Sequence, residues 1–117
     1  MGGEDIIQIN LINWLQFHHP EVYEHTLHIA NQRSCSQQQG RLLKRMGVKK
    51  GVADLFIALP VNGKHGLWLE IKSHGGKPSQ EQKVFIARMI RQGYEGSIVY
   101  GLEEAKEAIL QYLGETA

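Results

Sequence analysis

The sequence predicts an α/β fold in which a central mixed β-sheet is flanked by helices. Segments with apolar residues at helical spacing alternate with short runs of branched and aromatic residues, in the order α-β-(α)-β-β-α-β-α. One predicted helix connects two predicted strands, and a right-handed crossover would make those strands parallel within the sheet. With 117 residues, of which 42% are hydrophobic, residues 1–117 are expected to form a single domain.

The first half of the chain contributes a helix, a strand and a short basic helix. The first helix is predicted over residues 4–17, where apolar side chains recur at helical spacing and Pro20 follows the end. A strand is predicted over residues 26–30, and a polar loop over residues 31–39 follows it. The next predicted helix, residues 41–46, stops at a glycine that suits a left-handed cap.

Two central strands are predicted over residues 51–59 and 67–72, and both carry charge inside an apolar run. Side chains alternate along a strand, so Glu70 and Lys72 point to the same face of the second strand. If the two strands pair antiparallel, Asp54 lies beside Glu70. A buried charge costs several kcal/mol unless it is paired or bound to metal, so this placement requires an explanation.

Two chemical interpretations fit these three ionisable residues. Two adjacent carboxylates suit a hard divalent cation such as Mg²⁺, which takes oxygen ligands. Lys72 would then orient or help to deprotonate an attacking water, or balance the charge that develops on a phosphate. The other interpretation is a structural ion pair, because a D…ExK pattern also arises by chance. The pattern alone leaves both open.

The C-terminal third predicts a helix over residues 80–92, a strand over residues 96–100 and a helix over residues 103–113. Ser79 is followed three residues later by Gln82, which is a capping-box pattern. Gln82 also falls on the inward face of the first turn. It is therefore expected either to bind the backbone N–H of Ser79 or to serve a functional site on that face.

Basic residues are unevenly distributed although the net charge is only +1. No Asp or Glu occurs between His25 and Ala53, and this segment carries a set of basic residues predicted to bind DNA: Arg33, Arg41, Lys44, Arg45, Lys49 and Lys50. Such a segment suits a polyanion, although a solvated basic face has the same composition. No recognition helix or zinc finger is present, so contacts to phosphates are expected rather than contacts to base edges.

The remaining features exclude several classes of protein. A lone Cys35 permits neither an intrachain disulfide nor a CxxC motif. No run approaches the roughly 18 apolar residues of a membrane span, and the N-terminus has no signal-peptide pattern. A soluble, cytoplasmic protein without a membrane partner is therefore expected.

Three motifs in order resemble the VRR-Nuc domain of the PD-(D/E)XK nuclease superfamily. They are GVKKGVAD at residues 47–54, EIK at residues 70–72 and GKPSQEQ at residues 76–82. The resemblance extends over essentially the whole chain, including the first helix. One departure is Ala53, where the family has a proline before the aspartate; proline supplies no metal-binding group, so activity is still expected.

The resemblance implies a restriction-endonuclease-like PD-(D/E)XK fold and phosphodiester cleavage that depends on Mg²⁺ or Mn²⁺. The metal ligands that it implies are Asp54, Glu70, the backbone carbonyl of Ile71 and, directly or through water, Glu4. It makes Lys72 the catalytic lysine and Gln82 a supporting active-site residue. Lys77, in the third motif, is expected to bind DNA together with the basic segment.

Family members that consist of the bare domain resemble Holliday-junction resolvases, which act as dimers on branched DNA. The resemblance therefore implies a structure-selective DNA endonuclease that forms a homodimer. Large aromatic residues are candidates for the dimer interface: Trp14, Phe17, Tyr23 and Trp68. The main alternative is a catalytically silent nucleic-acid-binding domain of the same fold, and a third is a protein-interaction module, which predicts no salt-sensitive DNA binding.

Overall fold

The computed structural model describes residues 2–30 and 36–115, and its elements follow the predicted order with one addition. The helices are α1 (Gly3–His18), α2 (Pro20–Glu24), α3 (Gln37–Arg45), α4 (Gln80–Arg91) and α5 (Gly101–Leu113). The strands are β1 (Thr26–His28), β2 (Leu55–Ile57), β3 (Leu67–Lys72) and β4 (Glu95–Tyr100). The addition is α2, because Pro20 not only follows the first helix but also opens the next one.

The four strands form one mixed sheet in the order β1-β2-β3-β4. β2 pairs antiparallel with β3, with Leu55 opposite Leu69. β4 pairs parallel with β3, and α4 makes the crossover between them. Both predicted pairings are confirmed, and with them the predicted α/β fold.

Apolar side chains of alternate strand residues pack with α1 and α5 to form the core. The strand residues are Leu55, Ile57, Leu67, Leu69, Ile71 and Val99, and the helical ones include Leu11, Leu15, Ala105 and Ile109. Each fully buried side chain of this size stabilises the fold by roughly 1.5–3 kcal/mol relative to exposure. The alternate residues of β3, which include Glu70 and Lys72, point to the opposite face of the sheet.

Several predicted strand boundaries are wrong, including the end of β2, which is Ile57 rather than residue 59, and the start of β4, which is Glu95 rather than residue 96. β1 ends at His28 rather than at residue 30. β2 begins at Leu55 rather than at residue 51, because Gly51 takes a φ of +84°, which a strand does not accommodate. Asp54 consequently stands just before β2 rather than inside it.

The predicted start of α3 is also wrong. The helix begins at Gln37 instead of residue 41, inside the predicted loop, because Ser36 and Gln39 form a reciprocal capping box. Its end is predicted well: Gly47, directly after the cap residue Met46, has a φ of +104°. α3 buries none of its residues.

Arg33 and Cys35 lie outside the described residues. Across residues 2–30 and 36–115, no helix has both the length and the apolar character needed to cross a bilayer.

Candidate active site

The three ionisable residues singled out in the sequence lie together and are nearly buried. Asp54 and Lys72 are each 9% exposed, and Glu70 is 2% exposed. Glu70 and Lys72 occupy alternate positions of β3, on the face opposite Leu69 and Ile71. The antiparallel pairing of β2 and β3 brings Asp54 beside Glu70, as predicted.

Asp54 is fixed at the end of the β2–β3 ladder by hydrogen bonds on both of its sides. Beyond the last strand pair, the N–H of Ile71 donates to Asp54 Oδ2 over 2.8 Å, so the carboxylate takes the place of a main-chain partner. The backbone carbonyl of Asp54 accepts from the N–H of Ile29 over 2.9 Å and lies 3.2 Å from His28 Nδ1. Gln8 Nε2 in turn lies 3.2 Å from the same His28 nitrogen. No sequence pattern pointed to Gln8 or His28.

The two oxygens of the Glu70 carboxylate have different surroundings. Oε2 lies 3.3 Å from Lys72 Nζ and accepts a hydrogen bond from Gln82 Nε2 over 2.8 Å. Oε1 is buried without a hydrogen-bond partner among the described residues. Burial and the neighbouring Asp54 carboxylate raise the pKa of Glu70 to about 7, against the opposing effect of Lys72. The site therefore disfavours two carboxylate charges in the absence of a cation.

Gln82 forms the predicted helix cap and also contacts Glu70. Its Oε1 accepts from the N–H of Ser79 over 2.8 Å, and Ser79 Oγ accepts from the N–H of Gln82 over 3.1 Å. Because an N–H donor already occupies Oε1, the amide is oriented with its Nε2 toward Glu70. The helix cap thereby determines which end of Gln82 faces the carboxylate.

These residues line a cleft of about 500 Å³. Glu4 of α1 contributes to its wall, and so do Lys49 and Lys50 from the segment before β2. That segment packs closely on α4: a Cβ at Gly51 would lie 2.6 Å from the backbone carbonyl carbon of Glu81. The cleft thus combines buried carboxylates with basic residues at its wall.

The residues predicted to bind DNA are divided between several places. Lys49 and Lys50 line the cleft. Arg41 and Arg45 line a separate cavity beside α3, of about 690 Å³. Lys44 is exposed in the last turn of the same helix.

Lys77 stands apart from this group. It is exposed in the segment before α4 and is not among the residues that line the cleft. Of the residues predicted to bind DNA that the structure describes, only Lys49 and Lys50 line the cleft.

The donor set fits a hard divalent cation held by two carboxylates. Asp54 and Glu70 present carboxylate oxygens in a small buried area, and Glu70 Oε1 lacks any other partner in the described part of the chain. Within that part, no group of three or more His, Cys, Asp or Glu side chains could hold a metal ion, so Glu4 lines the cleft without completing such a group. Mg²⁺ is commonly bound by one or two carboxylates, with water and phosphate oxygens in the other positions.

The mixed sheet and this pair of carboxylates with a lysine define a nuclease-type domain of the PD-(D/E)XK fold. The family model described as the VRR-NUC domain matches residues 3–103, so the chain belongs to the VRR-NUC family. A solved structure described as a VRR_NUC domain protein is similar to it, with a TM-score of 0.84 and 26% identity, covering 97% of this chain and 90% of that one. No curated protein matches the chain. The resemblance and the fold inferred from the sequence are both confirmed.

Proposed function

We propose that this protein is a divalent-metal-dependent DNA endonuclease that selects its substrate by structure, with branched DNA such as a Holliday junction as the substrate class. The observation that carries the proposal is the buried Glu70 Oε1, which has no hydrogen-bond partner within residues 2–30 and 36–115, beside the Asp54 carboxylate. Two carboxylates in a cleft repel phosphates unless a cation lies between them. A domain that only binds DNA has no use for this arrangement.

We propose the following roles for the residues, which their positions support. Asp54, Glu70 and the carbonyl of Ile71 would hold Mg²⁺ or Mn²⁺, with Glu4 acting through water. The bound cation would polarise the phosphodiester and lower the pKa of a bound water. Lys72, 3.3 Å from Glu70, orients the attacking water or offsets the charge that develops on the phosphate.

Lys49 and Lys50 are proposed to bind the DNA backbone beside the cleft. Lysine side chains attract phosphates as point charges, which positions a duplex without reading its sequence. Selection by the shape of the DNA is therefore proposed rather than selection by base sequence.

We further propose that the protein acts as a homodimer, because two strands of a junction must be cut and one chain offers one site. Of the aromatic residues considered for the interface, Phe17 is 83% exposed. Trp14 and Tyr23 pack against the core, and Trp68 stacks on Phe56 with ring centroids 4.3 Å apart. Sedimentation at micromolar concentration is expected to show a dimer; a monomer that still cleaves junctions would contradict this.

The decisive experiment combines Asp54→Asn with a panel of branched and linear DNAs, each with and without Mg²⁺ or Mn²⁺. The substitution keeps the acceptor for Ile71 N–H but removes a charge, so cleavage should fall by about 10³-fold or more. DNA affinity without metal should stay level or rise, and so should the melting temperature. Glu107→Gln, which neutralises an exposed carboxylate on α5, is the matched control.

The other functions predict different results from the same panel. A silent nucleic-acid-binding domain would bind DNA in a salt-sensitive way and cleave nothing, with or without metal. A structural ion pair would make Asp54→Asn clearly less stable, with any cleavage lost only in proportion to unfolding. A protein-interaction module would not bind DNA at all.

A further inference from the structure

A second, smaller groove of about 230 Å³ continues from the active-site cleft along α4. The two cavities share four lining residues: Lys49, Lys50, Val52 and Glu81. A ligand that enters the cleft can therefore extend into this groove along a common wall. Neither the sequence motifs nor the family resemblance pointed to it.

One wall of the groove is a face of α4 that starts beside the cleft, at Glu81, and continues along the helix. Its residues follow helical spacing and end at Arg88: Gln80, Glu81, Val84, Phe85 and Arg88. Gln82, which contacts Glu70, lies on a different face of the same helix. Arg88 therefore stands at the end of the groove that is farther from the active site.

The groove carries three cations that are available to a ligand. Across residues 2–30 and 36–115, Lys49, Lys50 and Arg88 form no ion pair with an acidic side chain. All three are exposed. Glu81 is the one acidic residue in the lining, so the groove has a net positive charge.

We propose that this groove carries the DNA strand on one side of the scissile phosphate, and that Arg88 binds a backbone phosphate there. The proposal rests on the proposed function of the cleft. Six residues separate Gln82 from Arg88, which is about 9 Å along a helix axis. At the rise of about 3.4 Å per nucleotide in one strand, Arg88 would meet a phosphate roughly two to three nucleotides from the cut.

The chemistry of the groove favours a nucleic-acid strand over an acidic peptide. Arginine presents a planar fork of donors that matches phosphate oxygens, and Lys49 and Lys50 line the same groove. The lining also includes the apolar side chains of Val52, Val84 and Phe85, against which sugar groups can pack. Cations for phosphates and apolar side chains for sugars together suit a nucleic-acid strand.

The first test measures the binding of fluorescently labelled duplex and branched DNA without metal, over a range of salt concentrations. Arg88→Gln should reduce the slope of log affinity against log salt by about 0.9, and Arg88→Lys should restore it. Between about 50 and 200 mM salt, the wild type should then lose about 3.5-fold more affinity than Arg88→Gln. Arg91→Gln, on the same helix but outside the groove, is the matched control, and equal slopes for the two glutamine variants would overturn the proposal.

The second test uses cleavage to locate the strand. Arg88→Gln should slow the cleavage of long substrates, and this defect should vanish when the DNA is shortened to about two nucleotides on one particular side of the cut. Shortening the other side should leave the defect unchanged. A defect that is the same for both truncations would show that no strand reaches Arg88.

The outcomes separate this proposal from the function on which it rests. A wild-type protein that shows the Arg88-dependent slope but cleaves no DNA would overturn the nuclease proposal and keep the groove as a DNA site. A wild-type protein that cleaves DNA, with Arg88→Gln matching Arg91→Gln, would overturn only the groove. Binding of poly-glutamate with the same dependence on Arg88 would overturn the assignment to DNA phosphate.

Discussion

Both faces of β3 carry buried side chains, yet the two faces are stabilised in different ways. On one face, Leu67, Leu69 and Ile71 are at most 1% exposed and pack in the core. On the other face, Glu70 and Lys72 are almost as buried but carry charge. The first face needs only to remove apolar surface from water, whereas the second needs specific partners for each charge. Alternate residues of one strand thus separate folding from chemistry.

The second face itself changes character along the strand. Toward the start of β3, Trp68 stacks on Phe56 and meets the edge of Phe85, with ring centroids 4.3 and 5.0 Å apart. Two residues later the same face presents Glu70 to the cleft. The aromatic cluster closes the sheet on one side of the site, so the carboxylates are reached from the cleft.

Among substitutions that test the difference between the two faces of β3, Glu70→Gln is expected to have the largest effect, on DNA cleavage. The substitution removes a charge from the face used for chemistry while it keeps an oxygen and the shape of the side chain. DNA cleavage with Mg²⁺ should fall by about 10³-fold or more, because metal chemistry contributes several kcal/mol. The midpoint of urea unfolding without metal should not fall. A variant that unfolds early would show that Glu70 is part of a structural ion pair.

The neighbouring Leu69→Ala should give the opposite pattern. Removing a fully buried leucine should lower the free energy of unfolding by about 2–5 kcal/mol, through lost burial and a residual cavity. Cleavage per folded molecule should stay near the wild-type value, measured below the unfolding midpoint. If cleavage instead falls as far as in Glu70→Gln, the two faces are not independent.

A smaller effect is expected where the segment before β2 packs on α4. Gly51 and Gly47 both have positive φ, but a Cβ at Gly51 would lie 2.6 Å from the Glu81 backbone, whereas nothing lies within 4 Å of one at Gly47. Gly51→Ala should therefore cost about 1–3 kcal/mol more unfolding free energy than Gly47→Ala. It should also weaken DNA binding, because Lys49 and Lys50 shift with the segment. Equal losses in the two variants would show that only the backbone dihedral matters.

The last expected effect is a pH dependence of stability without metal. The pKa of Glu70 is raised from 4.5 to about 7 in the folded protein by burial and then by Asp54, so the folded state holds a proton that the unfolded state has lost. This contribution is complete below pH 4.5 and is lost as the pH rises to about 7. The wild type is compared with Glu70→Gln because both proteins share the other ionisable groups near the cleft, so that their contributions to the pH dependence cancel. These groups include Glu4, Lys49, Lys50 and Lys72.

The measurement is the unfolding free energy of both proteins across that pH range. Stability of the wild type should decrease relative to Glu70→Gln as the pH rises, and saturating Mg²⁺ should remove the difference in slope. Parallel pH profiles without metal would show that the burial of Glu70 does not perturb its titration.

The core and the carboxylate pair could be predicted because both follow from the period of a strand. Alternation placed Glu70 and Lys72 together, and antiparallel pairing placed Asp54 beside Glu70. The start of α3 did not follow from the period of a strand or from a buried helix face, because the helix buries no residue. Its signal in the sequence is the capping-box pattern of Ser36 and Gln39, the same pattern that Ser79 and Gln82 form at α4.

The second groove could not be predicted from the sequence for a different reason. Lys49 and Arg88 are nearly forty positions apart, and only the packing of the Gly51 segment on α4 brings them to one groove. Likewise, His28 approaches the Asp54 carbonyl through the pairing of β1 with β2. Contacts made by tertiary packing leave no spacing pattern in the chain.

The two hydrogen bonds of Gln82 restrict which residues the position can tolerate. One planar group must both accept from the start of α4 and donate to Glu70, and the glutamine amide does this with two separate atoms, Oε1 and Nε2. Glutamate would keep the cap but would place a third negative charge beside Asp54 and Glu70. Lysine would keep a donor but would lose the cap. Asparagine is one methylene shorter. A redesign of this domain that relocates the helix start would therefore have to find a new support for Glu70.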